Sequence, residues 1–136
     1  MTSRPAGKLV QISASTVIGD EVRNPEGECL GKLHEIIIDA ATGRVSYAVL
    51  SLTGAIGPVK RLFTLPWQAL EVSPSEHKFI LDVPRERLEN APWFERNHWP
   101  DFSDLAWGVG IHSYYGFTPY WSRDSGGMNQ LNESVL

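Results

Sequence analysis

Short apolar stretches separated by turn-forming residues are the feature that most constrains this chain. They recur from Val22 to Val83, with a turn about every eight to twelve residues. Pro25 and Gly27 mark one turn, and Gly43 marks another. This spacing is typical of small all-β domains. It predicts a mainly β fold, a small antiparallel β-barrel of about six strands, with a short helix after Pro84 and an irregular aromatic C-terminal extension.

One predicted strand is apolar on both faces. In the stretch RVSYAVLSL, Tyr47 and Val49 lie on one face, while Ala48, Leu50 and Leu52 lie on the other. A strand of this kind must be covered on both sides. The interior of the barrel can cover one face, so the other needs a loop, a tail or a partner.

The segment from Ala91 to Trp107 contains five aromatic residues and two prolines, Pro92 and Pro100. Rings in such a segment bury much apolar area when they pack on a surface such as AVLSL. We interpret the segment as a strap that covers the barrel, in cis or across a homodimer, with a peptide- or ligand-binding platform as the alternative. The candidate interaction surface consists of Leu50, Leu52, Trp93, Phe94, Trp99, Phe102 and Trp107.

These patterns divide the chain into four parts. We expect an N-terminal extension at residues 1–11, the barrel domain at 12–90, the aromatic strap at 91–116 and a mobile tail at 117–136. The tail is expected to be ordered only where Tyr120 and Trp121 dock on the domain.

Charge and cysteine content narrow the class of partner. The 136 residues carry a net charge of −4, whereas binding to phosphate backbones needs clustered Lys and Arg, so a nucleic-acid partner is not expected. The single cysteine, Cys29, excludes an internal disulfide and fits a reducing compartment. No apolar run approaches the roughly 20 residues that span a bilayer, and no signal peptide is recognisable. The expectation is a cytoplasmic protein without membrane insertion.

No catalytic or metal-binding pattern is present in the sequence. The four histidines have no metal-ligand spacing, and Cys29 has no histidine near it in sequence. Asp101 and Asp104 stand three residues apart, and we interpret Asp101, or Ser103 with Asp104, as the cap of a short helix that reaches Trp107. We therefore expect no enzyme, no cofactor and no metal.

Several motifs in sequence order resemble the PRC-barrel family. The matching residues are Gly19, Val22, Gly27, Leu30, Gly31 and Leu33, then Asp39, Thr42, Gly43, Arg44, Val45 and Tyr47, and finally Leu65, Pro66 and Trp67. The aromatic extension is similar to that of stand-alone bacterial members. The resemblance implies a PRC-barrel-like fold, the fold of the barrel domains of the photosynthetic reaction-centre H subunit and of a ribosome-maturation factor. Neither of those functions transfers with the fold.

Three functional hypotheses follow. The first is a non-catalytic protein-interaction or assembly module that binds itself as a homodimer and another, unidentified protein. The second is a ribosome-maturation-type factor that binds a ribosomal protein or RNA. The third is a soluble accessory of a membrane electron-transfer or photosynthetic complex.

Overall fold

The computed structural model describes residues 10–52, 61–73 and 76–122. Most of the expected N-terminal extension, and the expected mobile tail from residue 123 onward, lie outside the described residues.

Seven strands and three α-helices make up the described fold. The strands are β1 (Glu21–Arg23), β2 (Cys29–Asp39), β3 (Arg44–Leu52), β4 (Arg61–Pro66), β5 (Leu70–Ser73), β6 (Lys78–Leu81) and β7 (Trp93–Glu95). The helices are α1 (Ala14–Val17), α2 (Arg85–Glu89) and α3 (Leu105–Tyr115), and a 3₁₀ turn covers Trp67–Ala69. Pro84 is the N-cap of α2, so the helix expected after this proline is present.

The strands form one sheet in the order β5-β6-β1-β2-β3-β4-β7. The prediction of a mainly β fold is confirmed, but seven strands replace the expected six. The sheet is also not purely antiparallel, because β1 pairs with β6 in parallel. Within the described residues no ladder joins β5 to β7, so the strand pairings do not close a barrel.

These differences have a common physical cause. Turn residues in the sequence identify hairpins between consecutive strands, but they carry no information about pairing between distant strands. The β1–β6 and β4–β7 ladders both join strands that are far apart in the chain. The seventh strand, β7, comes from the aromatic segment that was expected to be irregular.

The two faces of β3 are both buried. Leu50 and Ala48 lie in the main core with Phe63 and Leu65, their cross-strand partners on β4. On the opposite face Val49 is fully buried, opposite Thr64 of β4. The central strand therefore needs two separate apolar layers, as its sequence indicates.

A glycine permits the closest backbone approach between β2 and β3. A Cβ atom built on Gly31 would lie 2.1 Å from the Ser51 carbonyl oxygen. The register of β2 is irregular beside Gly31, where its pairing with β1 skips Leu30, and again against β3 between Leu33 and Glu35 and between Ile37 and Ile38. Gly31 is thus required for space at the contact with β3.

The β2–β3 turn is built by Asp39. Its carboxylate accepts from the Ala41 amide at 3.0 Å, its carbonyl accepts from the Gly43 amide at 2.7 Å, and Gly43 has a φ of 80°. Glycine adopts this left-handed conformation without the Cβ clash of other residues. The turn expected from Asp39, Thr42 and Gly43 is present.

Substitution of Gly31 with Ala is expected to destabilise the domain by about 3 kcal/mol, because the new methyl group meets backbone rather than a movable side chain. Gly110→Ala is the matched control, since a Cβ atom there has no atom within 4 Å. The control should leave the stability unchanged or raise it by up to about 1 kcal/mol. Urea unfolding at low protein concentration measures both, and equal midpoints would contradict the prediction.

Candidate functional site

The aromatic segment is ordered by local backbone interactions. After β7, the His98 amide donates to the Glu95 carbonyl at 2.9 Å. The Asp104 side chain then accepts from the Ala106 and Trp107 amides at 3.0 and 3.4 Å and caps α3. Asp104 is therefore the helix cap expected from the sequence, but the helix continues past Trp107 to Tyr115.

The sequence did not predict the full length of α3, because the helix contains glycines and glycine usually weakens helices. Gly108 is kept small by packing, since a Cβ atom there would lie 2.4 Å from the Tyr47 hydroxyl and 2.8 Å from the Trp121 ring. Gly116, with a φ of 81°, ends the helix in the left-handed conformation. Tertiary contact thus overrides the low helix propensity of this stretch.

A continuous series of ring contacts runs through the segment. Phe94 lies 4.9 Å from Trp99, Trp99 lies 6.0 Å from Phe102, and Phe102 lies 5.3 Å from Trp107, measured between ring centroids. The series ends on Tyr47 of β3, whose ring lies 5.9 Å from Phe102 and 5.4 Å from Trp107. The rings therefore cover the Tyr47 face of β3 in cis.

Tyr47 occupies the centre of this layer. Its ring also contacts His112 of α3 at 5.5 Å. Burial raises the pKa of the Tyr47 hydroxyl to about 12, so this hydroxyl remains protonated at neutral pH. A neutral, buried tyrosine supports packing rather than acid–base chemistry.

The predicted surface residues fall into separate environments. Leu50 is fully buried in the core, which removes it from any exposed surface, and Leu52 is half-buried against the same core. Phe94, Phe102 and Trp107 are half-buried within the ring series. Leu50 was predicted to belong to the interaction surface because the alternation of side chains along β3 shows two apolar faces. The alternation does not show what covers each face.

Trp93 and Trp99 remain exposed beside β7. They are 43% and 42% exposed, respectively. The Arg61 guanidinium lies 4.7 Å from the Trp93 ring centroid, and His34 of β2 lies 6.4 Å from the Trp99 ring centroid. Trp93 is the first residue of β7, and Trp99 packs on Phe94, the next residue of the strand, at 4.9 Å between ring centroids. We call β7 together with these two exposed indoles the tryptophan edge.

The segment that carries the tryptophan edge is rich in acidic residues. Glu95, Asp101 and Asp104 lie in the same segment, and its only cation is Arg96. Asp101 and Asp104 are exposed, and each also accepts backbone N–H groups of its own turn. The surface can therefore attract cationic groups while it offers apolar rings.

The start of the C-terminal segment docks on the β2–β3 turn. The Tyr120 hydroxyl donates to the Asp39 carboxylate and lies 3.3 Å from the Ser46 hydroxyl. The Arg44 guanidinium lies 5.1 Å from the Tyr120 ring centroid, and Trp121 contacts the His112 ring at 5.3 Å. Sequence reasoning named Tyr120 and Trp121 as possible anchors, but it had no signal for Asp39 as their partner.

The described residues bring no metal-binding cluster together. Among them, no group of three or more His, Cys, Asp or Glu side chains is placed to hold a metal ion. A small depression between α1 and the β5–β6 hairpin is lined by Asp20, His77 and Lys78, but Lys78 is paired with Glu76 at 3.1 Å. No helix in the described part of the chain has the length and hydropathy to span a bilayer.

Comparison with known proteins identifies the family. The sequence profile of the PRC-barrel domain matches residues 10–88, which is more than half of the chain. The chain therefore belongs to the PRC-barrel domain family, as its motifs indicated. A search of curated proteins finds no match.

One solved structure illustrates how far the similarity extends. It is the crystal structure of a protein from Pseudomonas aeruginosa described as the 16S ribosomal RNA processing protein RimM, with 16% sequence identity and a TM-score of 0.39. The superposition covers 61% of this chain and 50% of that chain, so this chain spans about half the length of its neighbour. Similarity at this level carries no argument about function.

Tyr120→Phe is expected to lower the free energy of unfolding of the domain. It is also expected to make this free energy depend less on pH in the acidic range. The hydrogen bond from Tyr120 holds the pKa of the Asp39 carboxyl below its usual value. A carboxylate of this kind stabilises the fold above its unfolded pKa of about 4, and the contribution is lost as the pH falls through the folded value. We expect the variant to lose about 1 kcal/mol at pH 7 and to lose less than the wild type on acidification.

Tyr114→Phe provides the matched control, because the Tyr114 hydroxyl donates to the Arg87 carbonyl at 2.5 Å and not to a carboxylate. It should lower the stability without a change in pH dependence. Urea unfolding from about pH 7 to pH 3 tests both variants. The same acid dependence in Tyr120→Phe and wild type would show that the Asp39 contact does not contribute.

Proposed function

We propose that this PRC-barrel protein is a non-catalytic protein-interaction module that binds a partner protein at the tryptophan edge. The observation that carries the proposal is the exposure of Trp93 and Trp99 beside an edge strand, at 43% and 42%. Their neighbours Phe102 and Trp107 are used to cover β3, whereas these two rings are not needed for that purpose. Exposed tryptophans of this kind are typical anchors of protein interfaces.

The free energy available at the tryptophan edge is sufficient for specific binding. Each of the two rings leaves on the order of 100 Å² of apolar area in solvent. Covering that area contributes about 2–3 kcal/mol for each ring. Two such anchors account for a large part of a micromolar affinity of about 8 kcal/mol.

The backbone of β7 adds a second means of recognition. β7 pairs with β4 through Arg61–Phe63, and in the described part of the chain no strand pairs with its other side. An extended segment of a partner can add to such an edge by main-chain hydrogen bonds. Because β7 has only three residues, its ladder fixes the orientation of the partner and the tryptophans supply most of the affinity.

Charge defines the chemistry of the partner. The carboxylates of Glu95, Asp101 and Asp104 favour Lys or Arg side chains, and the exposed Trp99 ring can also accept a cation, whereas Arg61 already lies over the Trp93 ring. The same carboxylates repel a phosphate backbone. We therefore assign an extended protein segment with basic and apolar residues as the partner, rather than RNA. A basic ribosomal protein and a subunit of a membrane complex are both compatible with this chemistry.

Trp93→Ala and Trp99→Ala are expected to weaken partner binding at least tenfold each, because each removes an anchor worth about 2 kcal/mol. Tagged full-length wild type and variants are compared for protein captured from a lysate of the source organism, measured by quantitative mass spectrometry. Ile38→Ala is the control, since Ile38 is 57% exposed on β2. The control should retain the captured proteins.

Nucleic acid in the captured material decides between the two partner classes. RNA capture that is lost with added salt, together with protein capture unaffected by both Trp variants, would overturn the proposal. Circular dichroism and urea unfolding establish that the variants remain folded. The non-catalytic part of the proposal has its own test. An enzymatic activity of the wild type that is abolished by one substitution at the tryptophan edge would contradict it.

A further inference from the structure

α3 has an exposed apolar face away from the tryptophan edge. Leu105 is 61% exposed and Val109 is 45% exposed, one helical turn apart. Ala106, Gly110 and Ser113 are exposed beside them and complete this face. The opposite side of α3 is the buried one, with Gly108, Ile111, His112 and Tyr115.

The helix lacks the polar outer face of an ordinary surface helix. From Leu105 to Tyr115 it contains no Asp, Glu, Lys or Arg, and its one histidine, His112, is fully buried. A helix that is apolar all round belongs in a buried environment. The outer face of α3 is thus suited to contact another apolar surface.

Small residues at the centre of this face allow two helix backbones to come close. A Cβ atom on Gly110 would have no atom of the described residues within 4 Å, so nothing in that part of the chain demands glycine there. Glycine at an exposed helical position costs about 1 kcal/mol relative to alanine. Close approach of a second helix explains why this cost is tolerated.

The charges at the two ends of α3 identify a second copy as the occupant. The start of the helix carries the exposed Asp101 and Asp104. Near its end lies the exposed Arg87 of α2, whose guanidinium lies 4.3 Å from the Tyr114 ring centroid. Of the two exposed acids beside Arg87, Glu89 is paired with Arg85, which leaves Glu86 and Arg87 on this part of α2. An antiparallel copy of α3 places each acidic start beside the partner's basic end, and it also aligns the two helix dipoles favourably.

From this complementarity we infer that two copies of the chain associate through antiparallel pairing of their α3 outer faces. The dyad passes between Val109 and Gly110, the centre of the helix, so Ala106 lies opposite the partner's Ser113. This homodimer does not exchange the aromatic segment, since that segment covers its own β3. The inference rests on α3 and the charges at its two ends and not on the proposed function, although both use Asp101 and Asp104.

The contact area sets the strength of the dimer. A helix of 11 residues is about 16 Å long, which places this interface at the small end of specific interfaces. We therefore expect a dissociation constant in the micromolar range rather than the nanomolar range.

Sedimentation equilibrium of the full chain at about 5–500 µM tests the inference. Wild type should pass from monomer to dimer in this range, and Val109→Glu should raise the dissociation constant at least tenfold, because it buries an unpaired carboxylate. Ile38→Glu is the matched control, an exposed β-branched residue of β2, and should leave the dimer intact. A monomer throughout the range, or equal effects of the two substitutions, would overturn the inference.

Disulfide cross-linking tests the antiparallel geometry without reliance on destabilised variants. In a Cys29→Ser background, Gly110→Cys should form a covalent dimer with oxidised glutathione, since this position lies beside its own copy. Ala106→Cys and Ser113→Cys should not cross-link alone but should cross-link when mixed. Efficient cross-linking of Ala106→Cys alone indicates parallel pairing, and no cross-linking in any sample indicates a different interface, so either result overturns the inference.

Discussion

The burial of β3 on both faces is the constraint on which the rest of the structure depends. Ala48 and Leu50 lie on one face of β3 and Tyr47 and Val49 on the other, and all four are buried. Exposure of the second face would leave several large apolar side chains in water, at about 2 kcal/mol for each. The aromatic segment after Ala91 removes this cost. Its cap at Asp104 and its contacts with Tyr47 are therefore requirements of the fold before they are features of any site.

The aromatic rings that cover β3 are needed for the fold, which limits the surfaces that can bind a partner. These rings stabilise the fold, and the Tyr47 hydroxyl at their centre is buried and protonated at neutral pH. What remains for recognition is the surface that the fold does not use, namely the tryptophan edge and the outer face of α3. The two surfaces differ in chemistry. The first combines indoles with carboxylates and a strand edge, whereas the second is an apolar helix face with charged residues at its two ends.

Features with local causes could be read from the sequence. The turn at Gly43 and the helix after Pro84 each follow from residues within a few positions of one another. Features with distant causes could not be read in this way. The parallel β1–β6 ladder, the strand β7 and the full length of α3 depend on partners far away in the chain. Gly108 illustrates the point, since its propensity argues against a helix while its contact with Tyr47 and Trp121 requires glycine.

By itself the sequence determined the family, the mainly β architecture and the need for a cover over β3, because motifs, alternation and side-chain composition are properties of neighbouring residues. Only the tertiary structure decided which rings serve as that cover and which remain exposed. Five similar aromatic residues stand within one segment, yet Phe102 and Trp107 contact Tyr47 whereas Trp93 and Trp99 lie beside an edge strand. The physical reason is that burial depends on what the folded chain brings to each ring, and ring identity alone does not contain that information.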